Sequence, residues 1–372
     1  MKKKKVLIAT DCFLPRWDGI SRFLDLMLPE LAKKFEVTVL APEFEGQAPE
    51  YKGTKIIKFS LSKIKLGGLD LARPDKRTIK KEVKKTDILF VQMIAPIGMK
   101  AIKYATKFKK PIINYNHTIE WELAERLAKR FKKIIGIIVK LLARKYYNKS
   151  SLLLVPSIHV EEALIKNKIK SKRQILPLGV DTRKFYPPAS KAMAKKKIGI
   201  DPDYKVIGFT GRIGTLEKDV PTLIMAFRKI KRRFPKTKLL LAGEVITEDF
   251  PRYKDIIYTG RQDNIEKYFQ AMDIFVMPSL IETNSLATME AMSTGCAVIA
   301  TPTGNIPEYI IHGTNGIMFP KGDSDDLKEK LKYLLTHDSI RKKLGTNARQ
   351  TIIERLEWKK TEKEIIKALS NF

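Results

Sequence analysis

Short, almost wholly apolar runs alternate along this chain with longer amphipathic stretches. VLIAT (6–10), EVTVLAP (36–42), KIIKFS (55–60), ILFVQM (88–93), PIINYN (111–116), SLLLVPS (151–157) and QILPLG (174–179) read as strands. A helical pattern over about 20–34 separates the first two, and the basic AIKYATKFKK (101–110) precedes PIINYN. Pro29 inside the first helical pattern predicts a kink or an early break. Strands that are apolar at nearly every position imply a parallel sheet covered on both faces. FYPPASKAM (185–193) reads as a linker, and a second series follows it: KVIGFTG (205–211), PTLIMAFRKIKRRF (221–234), KLLLAGE (238–244) and DIIYTG (255–260). AMDIFVMPS (271–279) then fits a buried strand that stops at Pro278. LATMEAMST fits a helix entered through Thr283, Asn284 and Ser285 and stopped at Gly295; CAVIAT (296–301) is the next strand and TPTGN its loop. The fold class is therefore α/β, with two Rossmann-like domains facing across a cleft. Their expected bounds are 1–186 and 187–354, with a C-terminal helix over about 355–372 packing back on the first. Ligands in such sheets bind at the C-terminal ends of the strands.

Two carboxylates interrupt this pattern at such a place. Glu282 lies in the loop before the LATMEAMST helix, and Glu290 lies about five residues into it. That is roughly 8 Å along the helix axis at ~1.5 Å per residue. Eight steps of ~100° leave the two side chains on different azimuths, so a shared helical face does not explain the pair. One extended ligand touched at both ends does, with a phosphate between them at the positive end of the helix. The alternative is one capping and one solvated glutamate.

Composition narrows the function classes. The 372 residues are 44% hydrophobic and 30% charged, which is globular and long enough for two domains. Two cysteines, Cys12 and Cys296, encode neither a disulfide framework nor a Cys-rich metal site. The apolar part of MKKKKVLIATD ends too soon at Asp11 for a signal peptide, and IIGIIVKLLA (134–143) is too short and too broken by Lys140 for a membrane span. A cytoplasmic location is expected. Neither half carries G-x-G-x-x-G or G-x-x-x-x-G-K-[ST], which counts against dinucleotide oxidoreductases and P-loop NTPases. The net charge of +31 is lopsided: residues 1–180 hold 39 Lys and Arg against 17 Asp and Glu, a net of +22, and the remainder holds +9. General basicity explains the sign of the charge but not its asymmetry, which suggests a polyanionic partner, either nucleic acid or an anionic membrane.

Five stretches together resemble one family. They are ATDCFLPRWDGISRF (9–23), NYNHT (114–118), VPS followed by LPLGVDTRKFYP (155–187), FTGRIGTLEKD (209–219) and PSLIETNSLATMEAMSTGCAVIAT (278–301). In this order they are similar to the family-four retaining glycosyltransferases of GT-B fold, especially members that glycosylate diacylglycerol or other lipids. The resemblance implies a nucleotide-diphosphate sugar as donor, a UDP- or GDP-sugar, with no further cofactor and no metal. It implies that Glu290 accepts from the ribose hydroxyls and Glu282 from hydroxyls of the transferred sugar. The backbone amides near Asn284, Ser285 and Leu286 would face the distal phosphate. Arg212, beside Gly211, and Lys218 would stabilise the departing diphosphate, where fixed charge acts preferentially on the transition state. His117 would contact the donor sugar near the reacting carbon, and Gly19 would belong to the donor-binding set from the first domain. Retention of anomeric configuration is implied too. The chain departs from the family pattern at Thr283-Asn284-Ser285, where Gly-Phe-Gly is common, and at Asp18, which replaces one glycine of a pair. The Arg212-to-Lys218 spacing is one residue longer than usual.

The acceptor is sought in WELAERLAKRFKKIIGIIVKLLARKYYNK (121–149). From Arg126 to Lys149 it has nine Lys and Arg and no acid, interleaved with Phe131, Ile134, Ile135, Ile137, Ile138, Leu141 and Leu142. A helical face of this kind suits an anionic membrane surface; a helix packed on the sheet with a solvated basic side is the alternative. The expectation is a peripheral enzyme on the cytosolic face of the membrane, acting on a lipid or polyprenyl-phosphate-linked acceptor. A soluble sugar or sugar phosphate is the second choice. A nucleic-acid-binding protein is kept as a remote alternative because of the charge, although the aromatic-studded basic motifs of single-strand readers are lacking.

Overall fold

A computed structural model describes residues 3–66, 69–128, 130–246 and 250–372. Lys129, part of the basic stretch, lies outside them. The chain separates into two compact units, one running to Pro177 and including Glu362–Phe372, the other Leu178–Thr361.

The first unit is built on a seven-stranded parallel sheet. Its strands are β1 (Lys5–Ala9), β2 (Glu36–Pro42), β3 (Thr54–Phe59), β6 (Ile88–Val91), β7 (Ile112–Tyr115), β8 (Leu152–Val155) and β9 (Arg173–Ile175). They lie in the order β3-β2-β1-β6-β7-β8-β9. Every residue of ILFV, IINY and LLLV is buried, as a sheet covered on both faces requires. Between β3 and β6 an antiparallel pair intervenes, β4 (Leu61–Leu66) and β5 (Leu69–Ala72). The sequence pattern gave no sign of that hairpin.

The helix Gly19–Lys34 runs through Pro29, so of the kink or early break that the proline predicts, the break does not occur. Leu24, Met27, Leu28 and Leu31 bury one continuous face on both sides of the proline, and that burial outweighs one missing hydrogen bond. Asp18 caps this helix, accepting from the amides of Ile20 and Ser21 at 2.9 Å, while the Asp18 amide donates to Ser21 Oγ at 2.8 Å. The departure from glycine at position 18 thus has a local structural use. The basic stretch, in turn, forms two helices, Glu120–Leu127 and Lys132–Tyr147. The first ends at Ala128 in an extended conformation (φ −70°, ψ 128°), and Phe131 takes a left-handed one (φ 54°) just before the second.

The second unit holds six parallel strands, β10 (Lys205–Thr210), β11 (Thr237–Ala242), β12 (Ile256–Tyr258), β13 (Ile274–Met277), β14 (Ala297–Ala300) and β15 (Ile317–Met318). Their order is β12-β11-β10-β13-β14-β15. In each sheet the order reverses once, beside β1 in the first and beside β10 in the second. A crevice opens at such a reversal, beyond the carboxyl ends of the two strands, because their connections leave in opposite directions. The reversal at β10 and β13 is where the glutamate-bearing loop begins.

Gly243, after β11, is required by close approach. Its φ is +150°, and a Cβ there would stand 1.9 Å from the Gly211 carbonyl oxygen. Gly199 has φ +74° with nothing within 4 Å of a Cβ. Gly243→Ala is expected to lower unfolding free energy by on the order of 3 kcal/mol, and Gly199→Ala by about 1 kcal/mol. Urea denaturation of the two variants checks the difference; equal losses would count against the Gly211–Gly243 contact.

Candidate active site

The crevice of the second unit is formed by two loops tied together through the backbone. After β10 the chain passes Gly211 and Arg212 and makes a single 3-10 turn, Leu216–Lys218. After β13 it passes Ser279 and Leu280 to Glu282. The Glu217 carbonyl accepts from the amides of Leu280 at 2.9 Å and Ile281 at 3.4 Å, which holds the loops in register. Lys218 Nζ consequently lies 2.5 Å from Glu282 Oε1, and Ser279 Oγ donates to the same oxygen at 2.9 Å. The two charged side chains are 17% and 9% exposed. Arg212 is 63% exposed and pairs with Glu217 at 2.8 Å. The two cations singled out from sequence thus hold different positions, one locked against the loop glutamate and one at the surface.

The loop then enters the helix Leu286–Ser293. Ser285 occupies the N-cap position, but its hydroxyl bonds to Thr288 Oγ1 at 2.8 Å and makes no backbone cap. The Leu286 amide donates to the Asn284 carbonyl at 3.2 Å. The Ser285 amide donates to Asn305 Oδ1 at 3.3 Å. Glu290, the fifth residue of the helix, is 4% exposed and so is not a solvated helix charge. Gly295, with φ +71°, follows the end of the helix as its sequence suggested.

Sequence reading placed the loop that follows β14 but gave it no part in the site. Asn305 Nδ2 donates to Asn284 Oδ1, and the Asn305 amide donates to the Thr283 carbonyl at 3.3 Å. Gly304 (φ +54°) presses so closely that a Cβ would stand 2.5 Å from the Glu282 carbonyl oxygen. A Gly-Asn pair just beyond a strand on the site's own edge of the sheet was the available signal. Arg349 was missed as well; its Nη1 donates to the carbonyls of Ser293 and Phe185, each at 2.7 Å, and so fastens the end of the Glu290 helix. Nothing local in its sequence marks it.

Several buried polar atoms here lack a protein partner, among them Thr210 Oγ1, Thr215 Oγ1 and Asn284 Nδ2. Such atoms are uncommon away from water or ligand, and they mark these loops as a polar binding surface. A pocket of about 700 Å³ opens beside them, lined by Leu216, Pro221, Met225, Phe250, Tyr253 and Leu280 among others. It shares loop residues with the crevice but none of Arg212, Lys218, Glu282 or Glu290.

Gly19 and His117 belong to the first unit. Gly19 opens the helix Gly19–Lys34, where nothing stands within 4 Å of a Cβ, so no local contact demands glycine. His117 follows β7, with Nε2 2.9 Å from Gln92 Oε1 and its ring against Phe23 and Tyr115. Burial pushes its pKa down to about 3, leaving the imidazole neutral. Two carboxyls nearby in the chain were not singled out from sequence. Asp11 accepts from the amides of Ile97 and Gly98 at the start of the helix Pro96–Lys107, and burial raises its pKa to about 7. Glu120, bonded to Tyr147 and Asn116, is raised to about 7 for the same reason. Among the described residues no group of three or more His, Cys, Asp or Glu is arranged to hold a metal.

Comparison with known proteins gives this geometry a family. Glycosyltransferase Family 4 matches residues 17–184, and Glycosyl transferases group 1 matches residues 190–351. The alpha-monoglucosyldiacylglycerol synthase of Streptococcus pneumoniae is 24% identical over 315 residues, 80% of this chain and 70% of that protein. The fold is similar to that of sucrose-phosphate synthase from Thermosynechococcus elongatus, with TM-score 0.79 and 16% identity over 99% of both chains. It is also similar to Anabaena HepE in complex with UDP-glucose, with TM-score 0.76 and 17% identity over 99% of this chain and 100% of that one. Two successive family matches that leave only residues 185–189 between them, on two parallel-sheet units of matching fold, place the chain among the group 1, family 4 glycosyltransferases of GT-B fold.

Proposed function

We propose that this glycosyltransferase moves a sugar, with retention, from a UDP- or GDP-sugar to a lipid or polyprenyl-phosphate-linked acceptor at an anionic membrane surface. One observation carries the acceptor side. On and beside the helix Lys132–Tyr147, Phe131, Ile134, Ile137, Ile138 and Leu141 are each more than half exposed. Lys132, Lys133, Lys140 and Arg144 are interleaved with them, and among the described residues none of the four forms an ion pair. Apolar side chains left in water beside unpaired cations match the two components of an anionic bilayer surface. Among the described residues no helix is long and apolar enough to cross a membrane, so the contact would lie along the surface. The lipid product named for the Streptococcus relative supports the same reading.

The donor would lie over the N-terminus of the helix Leu286–Ser293. Glu290 would accept from the ribose hydroxyls and Glu282 from the sugar, since an ionised carboxylate only accepts and suits vicinal hydroxyl donors. Lys218 and Arg212 would face the diphosphate. In the transfer, the bond from the anomeric carbon to the phosphate oxygen breaks and its electron pair stays with the diphosphate. The acceptor oxygen bonds to the same face of that carbon, and its proton passes to the leaving phosphate. Fixed cations stabilise the charge that develops there. His117, whose imidazole is neutral, is proposed to contact the donor sugar near the reacting carbon without taking up a proton.

Three measurements test this reading. In calorimetry with UDP, GDP and their sugars, Glu290→Gln is expected to weaken donor binding by about tenfold, the ~1.4 kcal/mol of a charge-assisted hydrogen bond. Glu282→Gln should lower turnover while binding of the free nucleoside diphosphate is kept or tightened, because Lys218 loses its partner. Wild-type donor affinity in Glu290→Gln would remove the ribose assignment. Activity should survive a chelator, and Arg212→Ala should cost about 2.7–4 kcal/mol in transition-state stabilisation; magnesium-restored turnover after chelation would overturn that role. Finally, sedimentation with anionic liposomes should exceed that with neutral ones and fall with salt. Neutralising Lys132, Lys133, Lys140 and Arg144 together should abolish most of it. Neutralising Lys328, Lys330, Lys342 and Lys343 should do little, since Lys328 and Lys330 are already paired with acids. Equal losses in both variants would leave a soluble sugar or sugar phosphate as the better acceptor.

A further inference from the structure

Asn305 is buried at 3% exposure and bonds to three consecutive residues of the donor loop. Its amide donates to the Thr283 carbonyl at 3.3 Å, its Nδ2 to Asn284 Oδ1, and its Oδ1 accepts from the Ser285 amide at 3.3 Å. The last bond stands out. The Ser285 amide is a donor at the positive end of the Leu286–Ser293 helix, where an anion is electrostatically favoured. Here a neutral amide oxygen takes that position. The bond is long for N–H···O, so an anionic oxygen accepting at a shorter distance would replace it favourably. Beside it, Asn284 Nδ2 is buried without a partner, a second donor left unused in the same loop. Gly304 stacks directly on the Glu282 and Thr283 carbonyls, so the backbone that carries Asn305 is fixed while its side chain keeps rotatable bonds.

We propose that Asn305 is a positioning residue of the donor site whose Oδ1 stands in for an oxygen of the donor's distal phosphate, and that the diphosphate displaces it from the Ser285 amide. The displaced carboxamide is still held by its own backbone beside Thr283. Asn305 Oδ1 therefore competes with the distal phosphate for the Ser285 amide, a competition that a monophosphate does not enter. This inference rests on the nucleotide-sugar reading of the crevice.

The test is the ratio of affinities for UDP and UMP, with GDP and GMP in parallel, measured by calorimetry on the full chain. Asn305→Asp preserves size and shape but puts a fixed negative charge where the phosphate must arrive. It is expected to reduce the diphosphate-to-monophosphate ratio at least tenfold while affinity for the monophosphate changes less than threefold. Asn305→Ala vacates the amide and is expected to keep the wild-type ratio or raise it. A purely structural Asn305 predicts instead that both variants lose both nucleotides in parallel, and that result overturns the proposal, as does an unchanged ratio in Asn305→Asp. Should Asn305→Asp not fold, wild-type NMR decides. The Ser285 amide and the Asn305 side-chain NH2 must shift with UDP and not with UMP; identical responses to the two nucleotides refute the displacement. Wild-type protein that binds no nucleoside diphosphate in either series removes the donor-site reading itself, and the inference with it.

Discussion

An all-parallel sheet imposes a constraint that every other feature of this protein follows. Each strand must be reached by a crossover that returns over a face of the sheet, so both faces are covered and the strands become apolar throughout. All carboxyl ends then lie along one edge, and the loops leaving that edge are the parts of the backbone free to carry chemistry. In the second unit, the reversal of strand order at β10 and β13 sets the Arg212–Lys218 loop beside the Glu282 loop. Two donations to the Glu217 carbonyl then fix their relative height. Residues separated by sixty-four positions, Lys218 and Glu282, meet because sheet order brings their strands together.

Charge in this crevice is balanced within the protein itself. Lys218 is neutralised by Glu282, Arg212 by Glu217, and the Ser285 amide by a neutral oxygen of Asn305. A half-buried lysine facing no counter-charge would be costly, as would a buried loop amide facing nothing. Each of these partners is also a group that the proposed nucleotide-sugar donor would replace or share.

The first unit manages polarity differently. Asp11 and Glu120 are buried and His117 is half-buried, and desolvation pushes each toward its neutral form, the carboxyls up to about 7 and the imidazole down to about 3. For the carboxyls, raised above their unfolded values, the stability each contributes is present at acid pH and lost as pH rises through about 7. For His117 the sign is opposite, since a depressed imidazole loses stability as pH falls toward 3. Charge in this unit is instead concentrated on its basic surface, most visibly along the helix Lys132–Tyr147, where apolar side chains remain in water.

The sequence by itself determined the α/β class and the succession of the main strands along the chain. Apolar runs such as ILFV and LLLV admit few roles other than doubly covered strands, and Gly295 could only end a helix. It also located Glu282, Glu290, Arg212 and Lys218, because short motifs at strand ends keep their spacing whatever surrounds them. What it could not supply were contacts between distant segments. Pro29 looked like a helix breaker until the burial of Leu24, Met27, Leu28 and Leu31 outweighed it. The basic stretch is divided between two helices by extended Ala128 and left-handed Phe131, single-residue conformations that periodicity does not register. The pairing of Lys218 with Glu282, the exposure of Arg212, and the hold of Asn305 and Arg349 on the glutamate helix were decided by tertiary structure alone. Each depends on which strands are neighbours, and strand order is set by how the whole chain buries its apolar surface, which no local pattern encodes.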